Sequence, residues 1–113
     1  MIKLYNNSNG SFTDINHSID PYVRGTIQWH DFDNDGDLDL VLTGAATAAS
    51  GAERYSHIYR NHAGTFTNIY AGLPGVRHSA VAWGDYDSDG DLDLVLTGEV
   101  GTQKISQIFR NNS

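Results

Sequence analysis

Sixteen residues, WHDFDNDGDLDLVLTG at 29–44, return 54 positions later as WGDYDSDGDLDLVLTG at 83–98, with thirteen identities. A second motif keeps the same spacing: LYNNSNGSFTDI at 4–15 becomes IYRNHAGTFTNI at 58–69, and IFRNNS at 108–113 begins a third copy. Self-similarity at a fixed period describes an array of supersecondary units, each burying its apolar face against the next. That excludes most single-core folds at once. The array must also be small, because 113 residues hold one domain at most.

Each unit reads as β. Leu38, Leu40 and Leu42 alternate with Asp39, Val41 and Thr43, a period of two, and Ile27/Trp29 and Val81/Trp83 do the same on shorter runs. Residues 55–60 and 65–69 flank an Asn-His-Ala-Gly turn, and residues 5–11 contain the related Asn-Ser-Asn-Gly, both hairpin chemistry. No window of ten residues keeps a helical spacing. The small-residue stretch 44–51 reads as a loop between strands, four residues longer than its counterpart after Gly98. About nine short strands result. Four strands per ~50 residues is the dimension of a propeller blade, whose sheet is covered on both faces; this accounts for apolar Val41 on the otherwise polar side of its strand.

The expected fold class is therefore all-β, two four-stranded antiparallel propeller blades. Residues 1–15 supply the last strands of a preceding blade, 24–69 a complete blade, and 78–113 the next blade without its last strand. Two blades cannot close a ring and would leave sheet faces wet. The chain is thus expected to be a slice of a longer propeller or to complete a six- or eight-bladed ring by self-assembly, as a trimer or tetramer. Residues 1–9 and 105–113 then claim one strand position, leaving one of them redundant.

The charge is local. Fourteen acidic residues face seven basic ones, and ten of the fourteen lie in 31–39 and 85–93, so the remainder is net basic. Each stretch places Asp at loop positions 1, 3, 5, 7 and 9 and Gly at 6: Asp31, Asp33, Asp35, Asp37, Asp39 with Gly36, then Asp85, Asp87, Asp89, Asp91, Asp93 with Gly90. Five carboxylates in nine residues repel one another unless a cation neutralises them. Oxygen donors without His or Cys select a hard ion, and Ca²⁺ is expected, one per loop and two per chain. Side-chain ligands are assigned to Asp31, Asp33, Asp35 and Asp39 and to Asp85, Asp87, Asp89 and Asp93. Asp37 and Asp91 are expected to offer backbone carbonyls, their side chains pointing outward. An EF-hand does not fit: position 12, its bidentate acid, is Leu42 or Leu96, and the flanks are strand-like rather than helical.

With the Trp-containing strand ahead of each loop, DFDNDGDLDLVLTG and DYDSDGDLDLVLTG resemble the FG-GAP/VCBS-type repeats of integrin α-subunit-like β-propellers, across essentially the whole chain. The resemblance implies that the loop joins the first two strands of a blade and binds Ca²⁺ structurally. The family's Phe-Gly stands here as Trp29-His30 and Trp83-Gly84, and its Gly-Ala-Pro element as Leu-Thr-Gly at 42–44 and 96–98.

Other readings are weaker. No Gly-x-Ser-x-Gly turn accompanies a Ser-His-Asp set, so no enzyme is expected. The histidines His17, His30, His57, His62 and His78 lack metal-ligand spacing and read as turn or surface residues. Trp29, Trp83, Tyr55, Tyr59 and Phe109 read as blade packing, while Arg60, Arg77 and Arg110 are candidates to line an inter-blade sugar or protein site. Asn6, Asn9, Asn16 and Asn111 fall in Asn-x-Ser sequons that Asn/Ser-rich turns generate by composition. Dense acidic loops disfavour nucleic acid. Apolar runs are far shorter than the ~20 residues that span a bilayer, and no charged-then-apolar leader follows Met1. Two functions remain: a calcium-stabilised extracellular scaffold or adhesion module, where millimolar Ca²⁺ would saturate the loops, or a calcium-dependent lectin with glycan sites between blades.

Overall fold

The computed structural model describes residues 2–15, 17, 19–49 and 51–112; the sequon residue Asn16 lies outside them. These residues contain nine strands and no helix: β1 (Tyr5–Ser8), β2 (Ser11–Asp14), β3 (Ile27–His30), β4 (Asp39–Ala45), β5 (Arg54–His62), β6 (Thr65–Asn68), β7 (Arg77–Gly84), β8 (Asp93–Val100) and β9 (Gln103–Phe109). All pairings between them are antiparallel, each strand beside its neighbour in sequence. Three sheets follow, β1-β2, β3-β4-β5-β6 and β7-β8-β9. The chain is all-β and blade-like, with one four-stranded sheet; the third sheet has three strands among the described residues.

The middle sheet is covered on both faces, as a blade's must be. On one, Leu40, Leu42, Tyr59 and Phe66 pack with Leu4 and Ile19 from the N-terminal segment. On the other, Val41 and Ile58 pack with Val76, Val81, Leu94 and Leu96 of the third sheet and its approach. Period-two alternation thus sends successive β4 residues into two different cores, and all seven β4 residues are buried. Gly25 allows the segment before β3 to lie against β4: a Cβ there would sit 1.7 Å from the Thr43 carbonyl oxygen.

Aromatic packing divides unevenly. Tyr59 is buried, Tyr55 stacks on Tyr22 at 5.1 Å, and Phe109 joins the second core. Trp83 lies against Phe32 at 6.4 Å with ring planes 19° apart. Trp29, expected in the core, instead stays about half exposed beside Phe66 at 5.9 Å, because no ring among the described residues takes the place that Phe32 takes over Trp83.

His57 also departs from the surface reading. It is half-buried, with Nδ1 2.8 Å from the Tyr22 hydroxyl and the rings of Tyr55 and Tyr59 alongside. Burial lowers its pKa, with Asp20 opposing weakly. The unfolded chain therefore takes up this proton first as pH falls, and stability declines below about pH 6.5. With the acidic loops held in saturating calcium, melting temperatures at pH 5.5 and 7.5 should differ more for the wild type than for His57→Gln. Equal differences would remove His57 from the pH response.

Candidate metal centre

Each acidic stretch spans the turn between the first two strands of its sheet, β3 to β4 and β7 to β8. Two left-handed residues bend each turn at matching places: Asn34 (φ 58°) and Gly36 (φ 93°), then Ser88 (φ 59°) and Gly90 (φ 94°). The glycine at position 6 therefore follows from backbone geometry.

The hydrogen bonds repeat nearly atom for atom. At position 1, Asp31 accepts from the N–H groups of Asp35 (3.1 Å) and Gly36 (2.9 Å), and Asp85 from those of Asp89 (3.0 Å) and Gly90 (2.8 Å). At position 5, Asp35 and Asp89 each accept from the N–H two residues on, both at 2.9 Å. At position 9 the carboxylate is buried. Asp39 accepts from Phe32 N–H (3.1 Å) and, across the sheet, Asn61 N–H (2.7 Å). Asp93 does the same with Tyr86 (3.2 Å) and Asn111 (2.8 Å). This residue ties the start of the loop to the strand two places along.

Asp85, Asp87, Asp89 and Asp93 each present an oxygen such that all four lie within 4.8 Å of one another. In the first loop Asp31, Asp33 and Asp39 converge in that way, whereas Asp35 groups with Asp37 and His62. Asp37 turns to the β5–β6 hairpin, accepting from Ala63 N–H at 3.1 Å. Asp91 stays outside the cluster and donates its N–H to Asp89. The two loops thus share a backbone, and Asp35 and Asp89 make the same contacts with the N–H two residues on and with the nearby arginine; the difference lies at Asp37, which is drawn to the hairpin.

Crowding shows in the electrostatics. Burial, reinforced by Asp35, raises the Asp33 pKa against the pull of Arg60. Asp87 is raised by desolvation and Asp89, with Arg110 opposing. Asp39 is raised by burial in spite of its two backbone donors. Asp89 moves the other way, lowered chiefly by the Asp91 N–H. Three carboxylates per chain are therefore held where a cation would relieve them. The donor set fits a hard ion: oxygen-only in the Asp31, Asp33, Asp39 and the Asp85, Asp87, Asp89, Asp93 clusters, with Asp33 Oδ1 buried and lacking any hydrogen-bond partner.

Arginine is the part that sequence reasoning placed elsewhere. Arg60 Nε lies 2.8 Å from Asp33 and Arg110 Nε 2.8 Å from Asp87, each reaching further to the position 5 carboxylate at 3.9 and 3.5 Å. Arg77 pairs with Glu99 at 3.4 Å. Asn61 and Asn111 were also missed, although the repeated Arg-Asn in IYRN and IFRN held the signal.

A family model described as FG-GAP-like repeat matches residues 31–96, from the first carboxylate of one loop through the whole of the second and into β8. The chain belongs to the FG-GAP-like repeat family. The match covers more than half of the 113 residues and includes both acidic loops. No curated protein and no solved structure matches the chain. As an FG-GAP-like protein it is a β-propeller-type repeat module, of a family that is generally non-catalytic and typically extracellular. No helix among its described residues is long and apolar enough to cross a membrane.

Proposed function

We propose that this chain is a non-enzymatic calcium-binding propeller module, in which one Ca²⁺ per acidic loop has a structural role and the blades serve as an extracellular scaffold or adhesion unit, closing into a ring with further copies. The observation that carries the calcium reading is the convergence of Asp85, Asp87, Asp89 and Asp93 within 4.8 Å, echoed by Asp31, Asp33 and Asp39. Asp31, Asp33, Asp35 and Asp39 would hold the first ion; Asp85, Asp87, Asp89 and Asp93 the second. Asp37 and Asp91, at position 7, would each complete a set with a backbone carbonyl. A bound ion would neutralise the repulsion within each loop and fasten the β3–β4 and β7–β8 turns. It supplies charge and nothing reactive.

Competition against a chromophoric chelator tests this. Ca²⁺ should be taken up from the chelator while Mg²⁺ at equal concentration competes poorly, because Mg²⁺ demands short, near-octahedral coordination that a flexible carboxylate loop does not impose. Equal competition by the two ions would count against the assignment.

A second reading, a calcium-dependent lectin, is favoured by one cavity. About 190 Å³ opens between the second and third sheets, walled by Phe32, Trp83 and Phe109 with Arg110 and Asn111 at its polar side. The buried Trp83 indole N–H has no partner. Calcium-dependent signal on a glycan array, competed by free sugar, would favour the lectin; a silent array leaves the scaffold.

A further inference from the structure

We propose that copies of this chain dock head to tail, the outer face of β8–β9 and the Tyr86 loop of one copy covering β3 of the next. This rests on the ring-closing reading above and specifies its interface.

The template is the contact inside one chain. Val41 and Ile58 of the middle sheet press on Val76, Val81, Leu94 and Leu96. Phe32 stacks on Trp83, and the Asn111 side-chain N–H₂ donates to the Phe32 carbonyl at 2.9 Å. Moving each residue on by one repeat turns Val41 into Val95, Ile58 into Ile108 and Phe32 into Tyr86. Val41 and Ile58 are 1% and 7% exposed and Phe32 is half-buried, but the counterparts Val95, Ile108 and Tyr86 are 39%, 57% and 59% exposed. Val95 and Ile108 are direct cross-strand partners, so they form one apolar patch.

The receiving half is partly open: Leu40 and Leu42, the counterparts of Leu94 and Leu96, are covered by Leu4 and Ile19, while the β3 edge is bare. Moving back by one repeat turns Val81 into Ile27 and Trp83 into Trp29, both close to half exposed. Asn61, the counterpart of Asn111, donates its side-chain N–H₂ to Leu38 of its own loop at 3.0 Å. The molecule therefore carries both halves of an interface that it already makes once internally, the outer one bare and the receiving one covered only by its own N-terminal segment. The filled middle sheet separates them, so they meet only between copies, and a contact of this kind is heterologous, closing a ring where its rotation closes.

Strand pairing supports the same geometry. β5 pairs with β4 through Arg54–Tyr59 and with β6 through Tyr59–His62. β9 reproduces only the first half, pairing with β8 through Phe109, and β1 only the second, pairing with β2 from Tyr5 onward. Phe109 and Tyr5 both correspond to Tyr59. Laid end to end, β9 of one copy and β1 of the next rebuild a strand like β5, completing a four-stranded blade of β7-β8-β9 with β2. Leu4 occupies in the first core the place that Ile108 would take, and Tyr5–Ser8 claim the same positions as residues 109–112, so one of these two segments is displaced on docking. Residues 2–4 belong to no strand, whereas β9 has seven ladder pairs, so residues 2–4 give way.

The test combines light scattering with two charge variants in calcium. Wild type should show a mass of three or four chains, rising from 12.4 kDa on concentration. Ile108→Glu blocks one face and Ile27→Glu the other, so each alone should be monomeric, and their equimolar mixture should form a two-chain complex through the one intact pair of faces. A variant that assembles like wild type, or a mixture that stays monomeric although both variants give native circular dichroism, overturns the proposal. Wild type that remains at one chain throughout overturns it without any variant. Loss of assembly with a calcium-dependent melt retained refutes only the docking; an assembled chain indifferent to calcium refutes only the metal reading.

Discussion

In saturating Ca²⁺ the chain should melt on the order of 30 °C above its midpoint in EDTA. An ion that binds only the folded state at a thousand times its Kd contributes about 4 kcal/mol, and the chain has two such loops. Near 100 residues, one kcal/mol moves the midpoint by roughly 4 °C or more. The effect is large because the loops are unfavourable on their own: Asp33, Asp39 and Asp87 all have raised pKa values, with burial as the leading cause. Adding Ca²⁺ back should restore the midpoint, and Mg²⁺ should restore little. Superimposable melts with and without chelator would show that Arg60 and Arg110 suffice to balance the loops.

Asp39→Ala and Asp93→Ala should be the most damaging single substitutions in the loops, and they should remain so in EDTA. Each of these buried carboxylates accepts two backbone N–H groups, one from its own loop and one from Asn61 or Asn111 across the sheet. Alanine leaves two buried donors without acceptors, at roughly 1–3 kcal/mol apiece. Asp91→Ala removes a carboxyl that lies outside the cluster and should change stability by no more than about 0.5 kcal/mol. Urea unfolding in chelator separates the two roles. A loss at position 9 that vanishes without calcium would mean that these residues act only as ligands.

Much of the fold was legible because the sequence repeats. The period-two run around Leu40 and Leu42 predicted β4, and Val41 on the opposite side signalled a sheet covered twice; the two cores meet β4 in just that way. The loop between β4 and β5 was legible from its small residues, although Gly44 and Ala45 belong to the strand. What a repeat cannot tell is where in the stack each copy lies. Trp29 and Trp83 read alike, yet only Trp83 has a preceding loop to supply Phe32. Side-chain direction was equally hidden. Asp37 matches Asp91 in sequence but accepts from Ala63 N–H, whose hairpin approaches only in three dimensions. Arg60 and Arg110 have side chains long enough to reach either a crevice or a loop, and spacing alone does not distinguish the two.

Counting the ions bound per chain tests the central claim most directly. Equilibrium dialysis against radioactive calcium should give two Ca²⁺ per wild-type chain and one when either Asp33 or Asp87 is replaced by Asn, the double replacement binding none. Wild type that retains no calcium at millimolar concentration, or a double variant that still binds two, would contradict it.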